Sequence, residues 1–212
     1  VTSNPCGEIF MQAYDACRLI AVNYFSFVEK PFTKDAFFNY SKFYEVNYEA
    51  MRLSDDLIDL EMEHIQKILN KIDNDSESEE VKSREKALWE KVYKTAASSR
   101  RAGLGLTALG DTLAALGHNY DSDTGIFIIN KIMRTKMESE LDCIIDMAIL
   151  RGPFEGWDNN KEFDLIASNE LVGNNDFFKF LIEEFPDKAM KMYDYGRRNV
   201  SWSTIAPTGS LS

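Results

Sequence analysis

The chain is short of the residues that mark several common protein classes. Among 212 residues there are two histidines, three cysteines and five prolines, and 24 Lys and Arg stand against 35 Asp and Glu, a net charge of −11. So few histidines leave little for a histidine-based metal centre. Glu61-Met62-Glu63-His64 has the Glu-x-x-His spacing of di-iron carboxylate bundles, but such a centre needs a second copy, and His118 has no Glu three residues before it. His64 therefore reads as a helix-face residue, and no metal ligand is assigned. The acidic balance argues against a nucleic-acid groove or an anionic membrane surface, since the average field repels both. No run approaches the about 20 apolar residues of a membrane helix, and the first residues lack the basic and apolar regions of a signal peptide. The expectation is a soluble, cytoplasmic protein with neither a nucleic-acid nor a membrane partner. Sparse cysteines in odd number exclude a disulfide framework and fit a reducing compartment, where thiols serve chemistry or lie buried. Cys143, in the helical pattern Leu141-Asp142-Cys143-Ile144-Ile145-Asp146-Met147, reads as core.

What is present is enough apolar and aromatic material, 44% and 12%, for a real core. Leu19 to Val28, with Arg18 before it, is rich in β-branched and aromatic residues and reads as one buried strand. From Thr33 to Leu69 the apolar residues recur at helical steps, and the aromatic stripe through Phe37, Phe38, Tyr40, Phe43 and Tyr44 is expected in the core. The acidic run 73–80 reads as a loop, followed by a helix from about Val81 to Ser98. Leu104 to Leu116 is read as continuing helically to a stop at Gly117. Its glycines, Gly103, Gly105 and Gly110, miss the dinucleotide-loop spacing and are assigned to close helix packing. Ser122 caps a helix to about Leu150, and 154–175 reads as mostly loop. Asp176 to Glu184 and Pro186 to Tyr193 read as helices, and Val200 to Ile205 as a strand feeding a turn at Pro207 to Ser210.

The most informative stretch is Ser3-Asn4-Pro5-Cys6-Gly7-Glu8-Ile9, with Cys17 beyond it. In an extended segment Asn4, Cys6 and Glu8 alternate onto one face, which brings together an amide, a thiol and a carboxyl. Pro5 and Gly7 suit a stiff, exposed loop tip rather than a central strand. At the far end Pro207-Thr208-Gly209-Ser210 combines small residues with hydroxyls, the composition that lets backbone N–H groups approach a phosphate.

Asn4-Pro5-Cys6-Gly7-Glu8 followed by Cys17 resembles the active-site loop of ribonucleotide reductase large chains, the adenosylcobalamin-dependent class more than the iron-dependent one. Thr204-Ile205-Ala206-Pro207-Thr208-Gly209-Ser210-Leu211-Ser212 is similar to the phosphate-binding Ala-Pro-Thr-Gly loop of the same family. Ala50 to Asp55 and Ser99 to Leu106 also resemble the family's helical connections. Where the family usually has Cys-Asn-Leu-Gly-Ser-Ile-Asn, this chain keeps Cys17, Leu19 and Asn23 but has Arg18, Ile20 and Ala21.

The resemblance implies an α/β fold: residues 1–212 as a single incomplete domain, part of a ten-stranded α/β barrel, with the catalytic loop at its start. It implies that Cys6 carries a thiyl radical, that Glu8 accepts the proton of the ribose 3′-hydroxyl, that Asn4 holds the substrate, and that Cys17 is half of the reducing dithiol. Pro5 and Gly7 would line the same loop, and Pro207, Thr208, Gly209, Ser210 and Leu211 would hold the nucleotide's phosphates. The implied cofactor is adenosylcobalamin, the alternative being a radical from a di-iron partner subunit. The implied partners are the ribonucleotide, the remaining reductase segments and a thioredoxin-like reductant. The other redox cysteine would lie upstream of Val1, so a fragment inactive alone is expected. A helical interaction module derived from a reductase, without chemistry, is the alternative of another class.

Overall fold

The computed structural model describes residues 2–166, 170–207 and 209. A short antiparallel hairpin opens the chain, β1 (Thr2–Ser3) pairing with β2 (Phe10–Met11). Next comes β3 (Arg18–Asn23). The strand stops there because the Asn23 side chain accepts from the Phe25 N–H and starts a tight helical turn over Tyr24–Phe27. The strand expected to reach Val28 is thus cut short, and Val28–Glu29 (β4) pairs instead with Phe37–Phe38 (β5).

Two long helices follow. Asn39 caps α1 (Tyr40–Asp73), accepting from the Lys42 N–H at 3.1 Å, so the helix begins later than Thr33 and runs past Leu69. Ser78 caps α2 (Glu79–Ser99), which leaves a shorter linker than the 73–80 run. Of the aromatic stripe Phe38 and Phe43 are core, as expected, while Tyr40 and Tyr44 are half-buried and Phe37 is exposed; Phe43 is centred 4.9, 5.1 and 5.3 Å from Tyr24, Phe27 and Phe38, edge to face.

The segment read as helical from Leu104 proves to be strand for its first part. Ala102–Thr107 forms β6, parallel to β3 with Arg18 opposite Ala102 and Asn23 opposite Thr107, and only then does α3 (Leu109–Ala115) begin. On its other edge β6 meets residues 201–204. The Leu104 N–H donates to Trp202 O at 2.7 Å, and the Thr204 N–H donates to Leu104 O at 3.2 Å. A parallel bridge joins Leu104 to Ser203, so the expected strand at Val200 to Ile205 is one bridge long.

Ser122 caps α4 (Asp123–Arg151) through the Gly125 N–H. The expected loop 154–175 contains short elements, α5 (Asn159–Glu162), β7 (Phe163–Leu165) and β8 (Leu171–Gly173), the last two antiparallel. Then come α6 (Asp176–Glu184), capped by Asn175 rather than Asp176, and α7 (Pro186–Tyr195).

Two buried polar clusters lock this arrangement. Lys136 of α4 donates to Leu104 O at 3.0 Å and to Ser203 Oγ at 2.6 Å while paired with Glu140, so one helix holds β6 and the 201–204 run together. Arg100 ends α2 in the left-handed region, φ 46°; its Nε donates to Asp55 Oδ1 at 2.7 Å and its Nη1 to Asp59 Oδ1 at 2.8 Å. Asn199 donates to the same Asp55 Oδ1 at 3.0 Å and to Arg100 O at 2.8 Å. Helix α1 thereby fixes where both β6 and the 201–204 run start. Cys143 is buried in the core, as the helical pattern implied. The fold mixes helix and strand; among the described residues the parallel ladder stays open and no closed barrel forms.

Candidate active site

The hairpin places the first three site residues, though not by strand alternation. Residues 4–9 form a tight loop: the Asn4 N–H donates to Ile9 O and the Gly7 N–H to Asn4 O, both at 3.0 Å. Gly7 sits at φ 78°, where an L side chain is strained, which is the reason for glycine at this position. The loop folds Asn4 and Glu8 toward each other, and Asn4 Nδ2 donates to Glu8 Oε1 at 2.6 Å. Asn4 Oδ1 accepts from the Ile9 N–H, so the amide is held at both ends. Pro5 and Cys6 are exposed at the tip. Glu8 keeps its second oxygen, Oε2, buried and without a hydrogen-bond partner among the described residues.

Cys17 lies just before β3 and is half-buried. Burial pushes its thiol up to about 11; the charges of Glu8 and Asp15 add to the rise, and those of Arg101 and Arg18 oppose it. Arg101 is itself fixed, donating from Nε to Asp15 Oδ2 at 2.7 Å. Glycine makes the space around the sulfur. A Cβ on Gly103 would stand 2.9 Å from Cys17 Sγ, 2.9 Å from Thr204 Cγ2 and 2.8 Å from Leu19 Cδ2. Along β6 the alternate residues Gly103 and Gly105 therefore present a bare backbone face toward Cys17 and Thr204. Their role is strand against neighbour, not the helix packing expected from the sequence.

Pro207 and Gly209 are exposed past the end of the 201–204 run, while Thr208, Ser210 and Leu211 lie outside the described residues. A cavity of about 690 Å³ adjoins this turn, lined by Leu106, Thr107, Asp111, Ile205 and Gly209 at the C-terminal end of β6. Ligands of parallel sheets bind at that end. A second cavity, of about 590 Å³, opens at the other end beside Phe10, Met11, Arg101 and Val200. The hairpin and Cys17 thus lie beside the start of β6 and the Pro207 turn beside its C-terminal end, along one three-membered parallel ladder. Sequence reasoning missed Asp15, Arg101 and Gly103. The signal for Gly103 was there, since glycines at i and i+2 are the period of a strand.

His64 is exposed on α1, and no group of three or more His, Cys, Asp or Glu able to hold a metal occurs among the described residues. No described helix is long and apolar enough to cross a membrane.

Comparison with known proteins shows the family. The family model "Ribonucleotide reductase, barrel domain" matches residues 1–212. A "Vitamin B12-dependent ribonucleoside-diphosphate reductase" of Mycobacterium tuberculosis is 24% identical over 210 residues, 99% of this chain and 22% of the relative. A protein of the same name from Thermoplasma acidophilum is 24% identical over 211 residues, 100% of this chain and 20% of the relative. A "Vitamin B12-dependent ribonucleotide reductase" of Streptantibioticus cattleyicolor is 33% identical over 133 residues, 58% of this chain and 22% of the relative. The chain therefore spans about a fifth of the length of the curated relatives it matches. A family match that runs from the first residue to the last assigns the chain to the ribonucleotide reductase barrel-domain family.

Proposed function

We propose that this chain carries the catalytic loop of a ribonucleotide reductase and serves deoxyribonucleotide synthesis together with the remaining segments of that enzyme. The observation that carries the reading is the state of Glu8: one oxygen held by Asn4, the other buried and unpaired, in the same six-residue loop that exposes Cys6. A carboxylate oxygen with no internal partner is available to take a proton from a substrate hydroxyl. Cys6, as a thiyl, removes the hydrogen atom from the ribose 3′ carbon; Glu8 takes the 3′-hydroxyl proton, and Asn4, with both donor and acceptor, holds the sugar. Loss of the 2′-hydroxyl as water is matched by two electrons from a dithiol that closes to a disulfide, Cys17 being one member. Pro5 and Gly7 shape the loop against the substrate, and Pro207, Thr208, Gly209, Ser210 and Leu211 bind the phosphates.

An exposed thiol at a hairpin tip fits a radical-generating group that must approach it closely. Adenosylcobalamin, when bound, supplies the radical that activates Cys6. That the relatives are named vitamin B12-dependent reductases supports this over a di-iron partner subunit. A thioredoxin-like protein restores the dithiol. The test is reduction of ribonucleotides by the assembled enzyme carrying this chain. Cys6→Ala is expected to abolish turnover, and activity is expected to require adenosylcobalamin. Unchanged turnover in the variant would reject the radical role.

A further inference from the structure

Five buried side-chain atoms lack a hydrogen-bond partner among the described residues, and two of them belong to the surroundings of Cys17. One is Glu8 Oε2. The other is Oγ1 of Thr204, a residue only 5% exposed. Unpaired buried hydroxyls are rare and each calls for a reason. Thr204 has no structural one, because its backbone N–H already bonds β6 and its methyl group already fills the space left by Gly103 beside Cys17 Sγ. The other three unpaired atoms lie on Tyr24, Asn47 and Arg197, none of which shares this glycine face.

We propose that Thr204 is a further substrate-contacting residue, its hydroxyl bonding the 2′-hydroxyl of the bound ribose. This rests on the reading above, which sets Cys17 beside the carbon that loses its oxygen. Thr204 packs in the same space, so it is next to the same carbon. Glu8, an acceptor only when ionised, takes the proton of one sugar hydroxyl; Thr204, able both to donate and to accept, bonds the oxygen of the other. The pair thus recognises the vicinal diol that separates a ribonucleotide from its deoxy product, and it explains how one site binds substrate yet releases product. A hydrogen bond to a sugar hydroxyl rejects the analogue lacking it, because the buried partner is left unpaired.

The experiment measures equilibrium binding of ADP and 2′-deoxy-ADP to the assembled enzyme carrying this chain and to its T204V, T204S and E8Q variants, with thermal unfolding in the absence of nucleotide. Thr204→Val is expected to weaken ADP binding about 3- to 10-fold, the range of one neutral hydrogen bond, and to leave 2′-deoxy-ADP unchanged. Thr204→Ser is expected to retain the preference. Without nucleotide the valine variant is expected to melt at the same temperature or higher, since a hydroxyl without a partner has been removed. Equal weakening of both nucleotides, or none, overturns the role of Thr204 while Glu8→Gln and the Cys6→Ala turnover test still judge the reading beneath it. Failure of the unaltered assembled enzyme to bind either nucleotide overturns both.

Discussion

Gly103→Ala isolates the packing on which the Cys17 site depends. The added methyl carbon would meet three atoms at once at 2.8 to 2.9 Å, closer than such contacts occur. None is backbone: all three are side-chain ends, so the site can yield, but Cys17, Leu19 and Thr204 must move together. Overpacking of this kind costs about 1–3 kcal/mol. Loss of glycine's freedom in the unfolded chain returns about 0.4–1 kcal/mol, because this glycine has no left-handed φ to preserve. The net expectation is a loss of about 1–2 kcal/mol, and in a chain of this size each kcal/mol lowers the melting temperature by about 2–4 °C. Gly105→Ala is the control. Its nearest neighbour would be Thr204 O at 3.4 Å, an ordinary contact, so stability is expected to stay within about 0.5 kcal/mol. Denaturant unfolding of both variants, with the alkylation rate of Cys17, decides the matter. If Gly103→Ala is as stable as Gly105→Ala and its Cys17 reacts at the native rate, the glycine face does not shape the site.

Two further outcomes follow from the charges. Asp55→Ala leaves Arg100, itself buried, without its main partner and strips Asn199 and Arg198 of an acceptor; destabilisation of about 3–5 kcal/mol is expected by denaturant unfolding. For Cys17 the raised thiol means that at pH 8 only about one molecule in a thousand carries the thiolate, so alkylation followed by mass spectrometry is expected to rise steeply with pH toward 11. Arg101→Gln is expected to slow that reaction and Glu8→Gln to speed it; the reverse order would contradict the assigned environment. Because the folded thiol titrates above its ordinary 9.0, the stability tied to it is fully present below that pH and is lost as pH rises toward 11.

The residues themselves fixed much of this protein. The cap at Ser122, the long helices and the buried rings of Phe38 and Phe43 depend on local chemistry and on periodicity that one stretch carries alone. Asn4, Cys6, Glu8 and Cys17 were singled out because thiol, carboxyl and amide in so short a span are legible as chemistry. Tertiary structure decided the rest. Residues 102–107 carry glycine and leucine in alternation, which sequence alone cannot tell from a helix start. They are a strand because β3 and the 201–204 run flank them and Lys136 closes over them. Asn4 and Glu8 meet across a turn rather than along a strand because Gly7 adopts a left-handed φ. Arg101 and Thr204 lie tens of residues or more from Cys17, and only the fold brings the charge of the one and the methyl group and hydroxyl of the other to its sulfur.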